Sequence, residues 1–167
     1  MESLQLLLSH LDYTEWASQR VLEAAAGLPA EDLVRDHGTA DKSVLGTLVH
    51  IFAADRSWLG RVRQEAPAPF INDSDFSLDV LRRDWPAVIQ GLRDWLATLD
   101  PERITSPVYY ADLKGRPHST PAWQIVHHVV NHGTHHRGQI AGFLRTMGHR
   151  PPPLDAIVYY RGMSRQP

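Results

Sequence analysis

The chain has 167 residues, 43% of them hydrophobic and 22% charged, which suits one domain over residues 1–167 with a real core. Its net charge is −2 with histidines neutral, and its 15 arginines and two lysines are scattered, so no phosphate backbone or anionic membrane is attracted. The absence of cysteine excludes disulfides, thiolate metal sites and a cysteine nucleophile.

The N-terminal stretch MESLQLLLSHLDYTEW lacks a basic start and a long apolar run, so neither a signal peptide nor a membrane span is expected, and a cytoplasmic protein is. Leu4, Leu7, Leu8, Leu11, Val21, Leu22 and Ala25 recur at helical spacing, and that first helix should end near Gly27-Leu28-Pro29. A polar stretch, RDHGTADKS, follows. Ser43 is then placed to cap a second helix that carries Val44, Leu48, Ile51, Phe52, Trp58, Leu59 and Val62. A third helix should open near Ser77 and carry Leu78, Leu81, Trp85, Val88, Ile89, Leu92, Leu96 and Leu99. Pro86 inside it should kink that helix or mark a late start, because proline lacks a backbone N–H.

Residues 104–119 change character, and Val108, Tyr109 and Tyr110 before a Lys-Gly turn suggest a short hairpin or an ordered loop. Thr120-Pro121 reads as an N-cap and first position for the next helix, which Gly148 closes ahead of three prolines. Asp155 is placed to cap a last short helix. Four long helices, with one non-helical insertion before the last of them, point to an all-α four-helix bundle.

The fourth long helix holds HHVVNHGTHH, residues 127–136, with five of the ten histidines. At about 100° per residue, His132 and His136 fall on or beside the apolar face, His128 and His135 further out, and His127 on the far side. His132 and His136 form HxxxH, whose rings lie one turn apart and either converge on one ion or are simply hydrogen-bonded into the core or exposed. Neutral imidazole suits zinc, nickel, iron or copper. The residue after His132 is Gly133 rather than glutamate, so the built-in base of an HExxH metalloprotease is missing. No Glu-x-x-His pair occurs, which argues against a di-iron carboxylate bundle.

A third ligand must come from another helix, and His50 is the best placed. It faces away from Leu48, Phe52 and Leu59 and shares its side with Ser43, Gly46, Thr47, Ala54 and Ser57. That face of small side chains either meets another helix or a cavity, or it is a solvated surface with an exposed histidine.

Several strings now resemble one family. VHIFAADRSW, from Val49 to Trp58, is similar to the second-helix motif of the DinB/YfiT-like metal-binding proteins, and HVVNHGTHHRGQI, from His128 to Ile140, to their last long helix. DLKGRPHSTPAW, from Asp112 to Trp123, and PPLD, ending at Asp155, resemble the same family. The resemblance covers nearly the whole chain. It implies an up-down-down-up four-helix bundle with one divalent metal on three histidines, here His50, His132 and His136, and it favours the cavity for His50. Relatives include thiol-dependent S-transferases, a maleylpyruvate isomerase and proteins described as metal-dependent hydrolases, and homodimers are common among them. The lesion-bypass polymerase that shares the family's label is not implied.

The expected cofactor is one divalent transition metal, zinc or nickel first and iron or copper next. Three ligands leave open positions, the mark of a catalytic rather than a closed structural site. The expected activity is hydrolysis of, or thiol transfer to, a small molecule, with any thiol borrowed from a low-molecular-weight cosubstrate. The alternative is a non-catalytic sensory or structural metal binder. Asp12, Asp55 and His128 are candidates to orient the ligand rings. For Asp55 a salt bridge to Arg137 or another arginine is the stronger expectation, since Arg137 lies on the apolar side of its helix and needs a carboxylate. Tyr13, Trp16 and Trp58 either line a pocket or belong to the core.

Overall fold

The structure is a computed structural model that describes residues 2–66 and 69–163. Its helices are α1 (Glu2–Ala26), the single turn α2 (Ala30–Leu33), α3 (Val44–Val62), α4 (Leu78–Ala97), α5 (Ala122–Thr146) and α6 (Ala156–Met163). Strands β1 (Pro107–Ala111) and β2 (Pro117–Pro121) form an antiparallel hairpin before α5, with Tyr109 opposite Ser119. The four long helices make an all-α bundle. α1 and α3 each pack on both α4 and α5, so α1 and α3 lie on one diagonal and α4 and α5 on the other.

The helix ends follow from local chemistry. Ser43 caps α3, its hydroxyl accepting from the Gly46 N–H at 3.0 Å. α5 ends at Gly148, whose φ of +83° suits glycine. There Gly148 N–H donates to the Arg145 carbonyl and His149 N–H to the Leu144 carbonyl, which satisfies two helix-end carbonyls. α4 starts at Leu78 and continues through Pro86, so the proline does not delay its start. The start of α5 is shifted by one residue from the expected cap. Pro121 is the cap residue itself, while Thr120 lies within β2 with its hydroxyl 3.1 Å from that of Tyr110. The turn α2 interrupts a stretch that shows no apolar periodicity.

The core runs the length of the bundle. Leu11 from α1, Leu48 and Ile51 from α3, Leu81, Trp85 and Leu92 from α4, and Ile125 and Ile140 from α5 are all buried. Each such aliphatic side chain contributes about 1.5–3 kcal/mol when taken from water. No helix among the described residues is long and apolar enough to cross a membrane.

Candidate metal centre

His50 sits in the middle of α3, and His132 and His136 lie one turn apart on α5, which packs against α3. His50 therefore faces the neighbouring helix and its histidines. The three rings converge, with centroids 5.0 Å apart for His50 and His132, 4.4 Å for His50 and His136, and 4.5 Å for His132 and His136. One ligand atom from each lies within 4.8 Å of the others. The Nε2 atoms of His50 and His132 face each other at 3.0 Å. A tetrahedral ion with bonds of about 2.0–2.1 Å sets its nitrogens about 3.3 Å apart. All three histidines are half-buried.

The ring nitrogens turned away from that convergence explain how the rings are held. Nδ1 of His50 lies 3.3 Å from Oδ1 of Asp41, and Nδ1 of His136 lies 2.7 Å from Oε1 of Gln139 and 3.8 Å from Oδ2 of Asp41. A carboxylate or amide oxygen there fixes the proton on Nδ1 and leaves Nε2 as the lone-pair donor. Nδ1 of His132 is buried with no hydrogen-bond partner among the described residues. Burial first, and then the neighbouring imidazoles, push the His132 pKa down to about 3. His136 is also lowered, again mainly by burial. Both rings are thus neutral near pH 7, the form in which imidazole binds a metal. The donor set and its geometry fit one divalent transition metal.

Asp41 reaches the site because of a turn and a glycine. Lys42 adopts a left-handed φ of 62°, and His37 N–H donates to the Lys42 carbonyl at 2.7 Å, which closes the loop ahead of α3. A Cβ at Gly46 would overlap the Asp41 carbonyl, so only glycine lets that loop lie against the helix beneath His50.

The profile of the DinB family matches residues 2–166. The chain belongs to the DinB family. It is similar to the protein named Protein DinB from Bacillus subtilis (strain 168), with 24% identity over 158 residues that cover 89% of this chain and 90% of the relative. A crystal structure of a DinB-like protein from Bacillus cereus ATCC 10987 superposes with a TM-score of 0.59 at 19% identity, covering 86% of this chain and 94% of that one. That likeness concerns the fold.

Within this DinB-family chain, the histidines expected to converge are brought together, and His127, His128 and His135 are exposed. His128 stacks on His132 with centroids 5.6 Å apart and also meets Trp58 at 5.2 Å, so it flanks the triad through ring contact. The packing of its ring against Trp58 and His132 partly desolvates it, and this first and the charge of Arg61 next lower its pKa. Asp12 lies elsewhere, accepting from Arg93 Nε at 2.6 Å across the α1–α4 interface. Asp55 is buried and accepts from Trp85 Nε1 at 2.8 Å, so it does not orient a ligand ring.

The expected Asp55–Arg137 salt bridge is also replaced. Arg137, only 1% exposed, donates to the hydroxyls of Ser18 and Thr134 at 3.2 Å and stacks over Tyr13, with Asp55 acting on it only through space. Of the three aromatic candidates, Trp58 adjoins the triad through His128, whereas Tyr13 and Trp16 pack with Tyr159 of α6. Asp41 and Gln139 are the site residues that sequence reasoning missed. Gln139 was reachable, being three residues beyond His136 on the same helix. Asp41 sits in an irregular loop, where spacing carries no signal.

Proposed function

We propose that the chain is a metal-dependent enzyme acting on a small molecule, with His50, His132 and His136 holding one divalent ion, zinc or nickel before iron or copper. The observation that carries this reading is the convergence of three half-buried imidazoles, with no fourth His, Asp or Glu grouped with them among the described residues. Closed structural zinc sites use four protein ligands, whereas three leave room for water and substrate. An ion held there supplies a Lewis acid for hydrolysis or for activation of a thiol.

The chain's own groups divide the remaining work. Asp41 and Gln139 keep the protons of His50 and His136 on the outer ring nitrogens. No glutamate follows His132, and Asp55 is turned toward Trp85, so neither supplies a general base beside the ion. A chain without cysteine must take any thiol from a cosubstrate. We further propose that it works in the cytoplasm as a homodimer, the assembly the family resemblance implies.

The test is a turnover screen of the metal-loaded protein on activated esters and amides and on pairs of a small thiol with an electrophile, beside His132→Ala. The reading predicts turnover by the parent protein and its loss in the variant. Stoichiometric metal without turnover on either substrate class would contradict it and favour a sensory or structural metal binder.

A further inference from the structure

A cavity of about 410 Å³ opens between α3, the hairpin and the segment at Phe70. Its size is that of a small-molecule site, and its walls are largely apolar, with a few polar groups. No histidine of the triad lines it, but ring contacts link its wall to the triad. Phe70 lines the cavity and stands edge-on to His50, with centroids 6.0 Å apart. Tyr110 lines it as well, and Trp58 links Tyr110 to His128, which stacks on His132.

The charged groups in this wall differ in their commitments. Arg56 is spent on Asp75, at 3.2 and 2.9 Å, and on the Phe70 carbonyl. Asp112 is spent on Arg116 and His118, which hold its carboxyl well below the usual range. Glu65 is exposed and lies 3.8 Å from Arg63. Arg61 has no carboxylate within ion-pair distance among the described residues. Its guanidinium lies 4.5 Å from the Trp58 ring and 5.5 Å from the Tyr110 ring, which fixes it without using its five N–H donors. Helical side chains lean toward the helix N-terminus, so Arg61 folds back along α3 toward His50.

We infer that this cavity receives the remote end of the substrate and that Arg61 binds a carboxylate there, so the substrate is an elongated small molecule with an anionic group away from its reacting centre. The inference rests on the triad being the reacting centre. His50 and Arg61 are separated by a helical rise of about 16 Å, and the seating of the Arg61 guanidinium over Trp58, three residues earlier, shortens that by about one helical turn. A planar fork of donors favours a carboxylate, which it can hold with two parallel hydrogen bonds. Arg61 is thus a binding residue that decides which substrates fit, and it takes no part in holding the metal.

The test is an amide-resolved NMR titration of zinc-saturated and metal-free protein with heptanedioate and with its dimethyl ester, repeated on Arg61→Gln and Arg61→Lys. Heptanedioate should move the amides of Gly60, Arg61 and Gln64. The ester, and heptanedioate on Arg61→Gln, should bind about tenfold more weakly or worse, while Arg61→Lys keeps part of the affinity. Equal binding of acid and ester, equal binding by parent and Arg61→Gln, or no saturable binding in the millimolar range would each overturn the inference. Zinc content of the same samples separates the two readings. Protein that holds no zinc but binds heptanedioate through Arg61 rejects the metal centre alone, and zinc-loaded protein indifferent to Arg61 rejects the anion site alone.

Discussion

Asp41 touches two of the three histidines and carries the only carboxylate at the triad among the described residues. Removing it leaves His50 free to turn or to change tautomer. Asp41→Ala should therefore weaken metal binding by about 10–100-fold with the helical content unchanged, because outer partners of ligand imidazoles have effects of that size. Competition with a chromogenic chelator measures this, and unchanged affinity would remove Asp41 from the site. Asp55 has a different role. Burial pushes its pKa from 3.8 up to about 7, against the hydrogen bond from Trp85 and the charge of Arg137. A raised carboxyl pKa means that the folded state holds a proton the unfolded chain has lost, so stability falls as pH rises from about 4 to about 7 and then levels off. Asp55→Asn can still accept from Trp85 but cannot titrate. Denaturant unfolding at pH 4.5 and pH 8 should show the parent losing about 3 kcal/mol relative to the variant; parallel stabilities at the two pH values would contradict the burial argument.

At the scale of elements, two glycines set what the helices can bring together. Gly46 admits the Asp41 loop against α3. Gly133, at the position where a metalloprotease would place its glutamate, faces the buried guanidinium of Arg137, and a Cβ there would lie 2.6 Å from Nη1. Gly133→Ala should cost about 1–3 kcal/mol by overpacking. Gly138→Ala, on the same helix with nothing near its would-be Cβ, should stabilise by up to about 1 kcal/mol. Urea midpoints of both variants check the contrast, and two equal shifts would show that Arg137 does not dictate Gly133. These cases also mark how far the sequence can be read. The HxxxH pair, the Ser43 cap and the Gly148 stop were legible because each depends on a spacing within one helix. The inward turn of His50 was not decided by its own periodicity, since a face of small residues suits solvent as well as a neighbour, and the family resemblance only tipped it toward the cavity. Asp41, the α2 turn and the hydroxyl partners of Arg137 depend on loops and tertiary contacts that leave no period. The arginine was expected on the apolar side of its helix and is buried there, but its guanidinium donates to Ser18 and Thr134 and lies over Tyr13 rather than pairing with a carboxylate, and its Nε has no partner among the described residues.

For the whole molecule, the triad joins α3 to α5, so an ion held there fastens two sides of the bundle. A ligand that binds only the folded state stabilises it by mass action, about 2.7 kcal/mol at a hundred times its dissociation constant. Added zinc or nickel should therefore raise the melting temperature of the metal-free parent protein and leave that of His50→Ala unmoved, and a scanning calorimeter reads both. The most direct test of the central claim is the metal content, by elemental mass spectrometry, of protein made without an affinity tag and dialysed after exposure to zinc or nickel, beside His50→Ala and His132→Ala. The account predicts about one ion per chain in the parent and close to none in either variant. A parent protein that keeps no metal, or variants that keep as much as the parent, would contradict it.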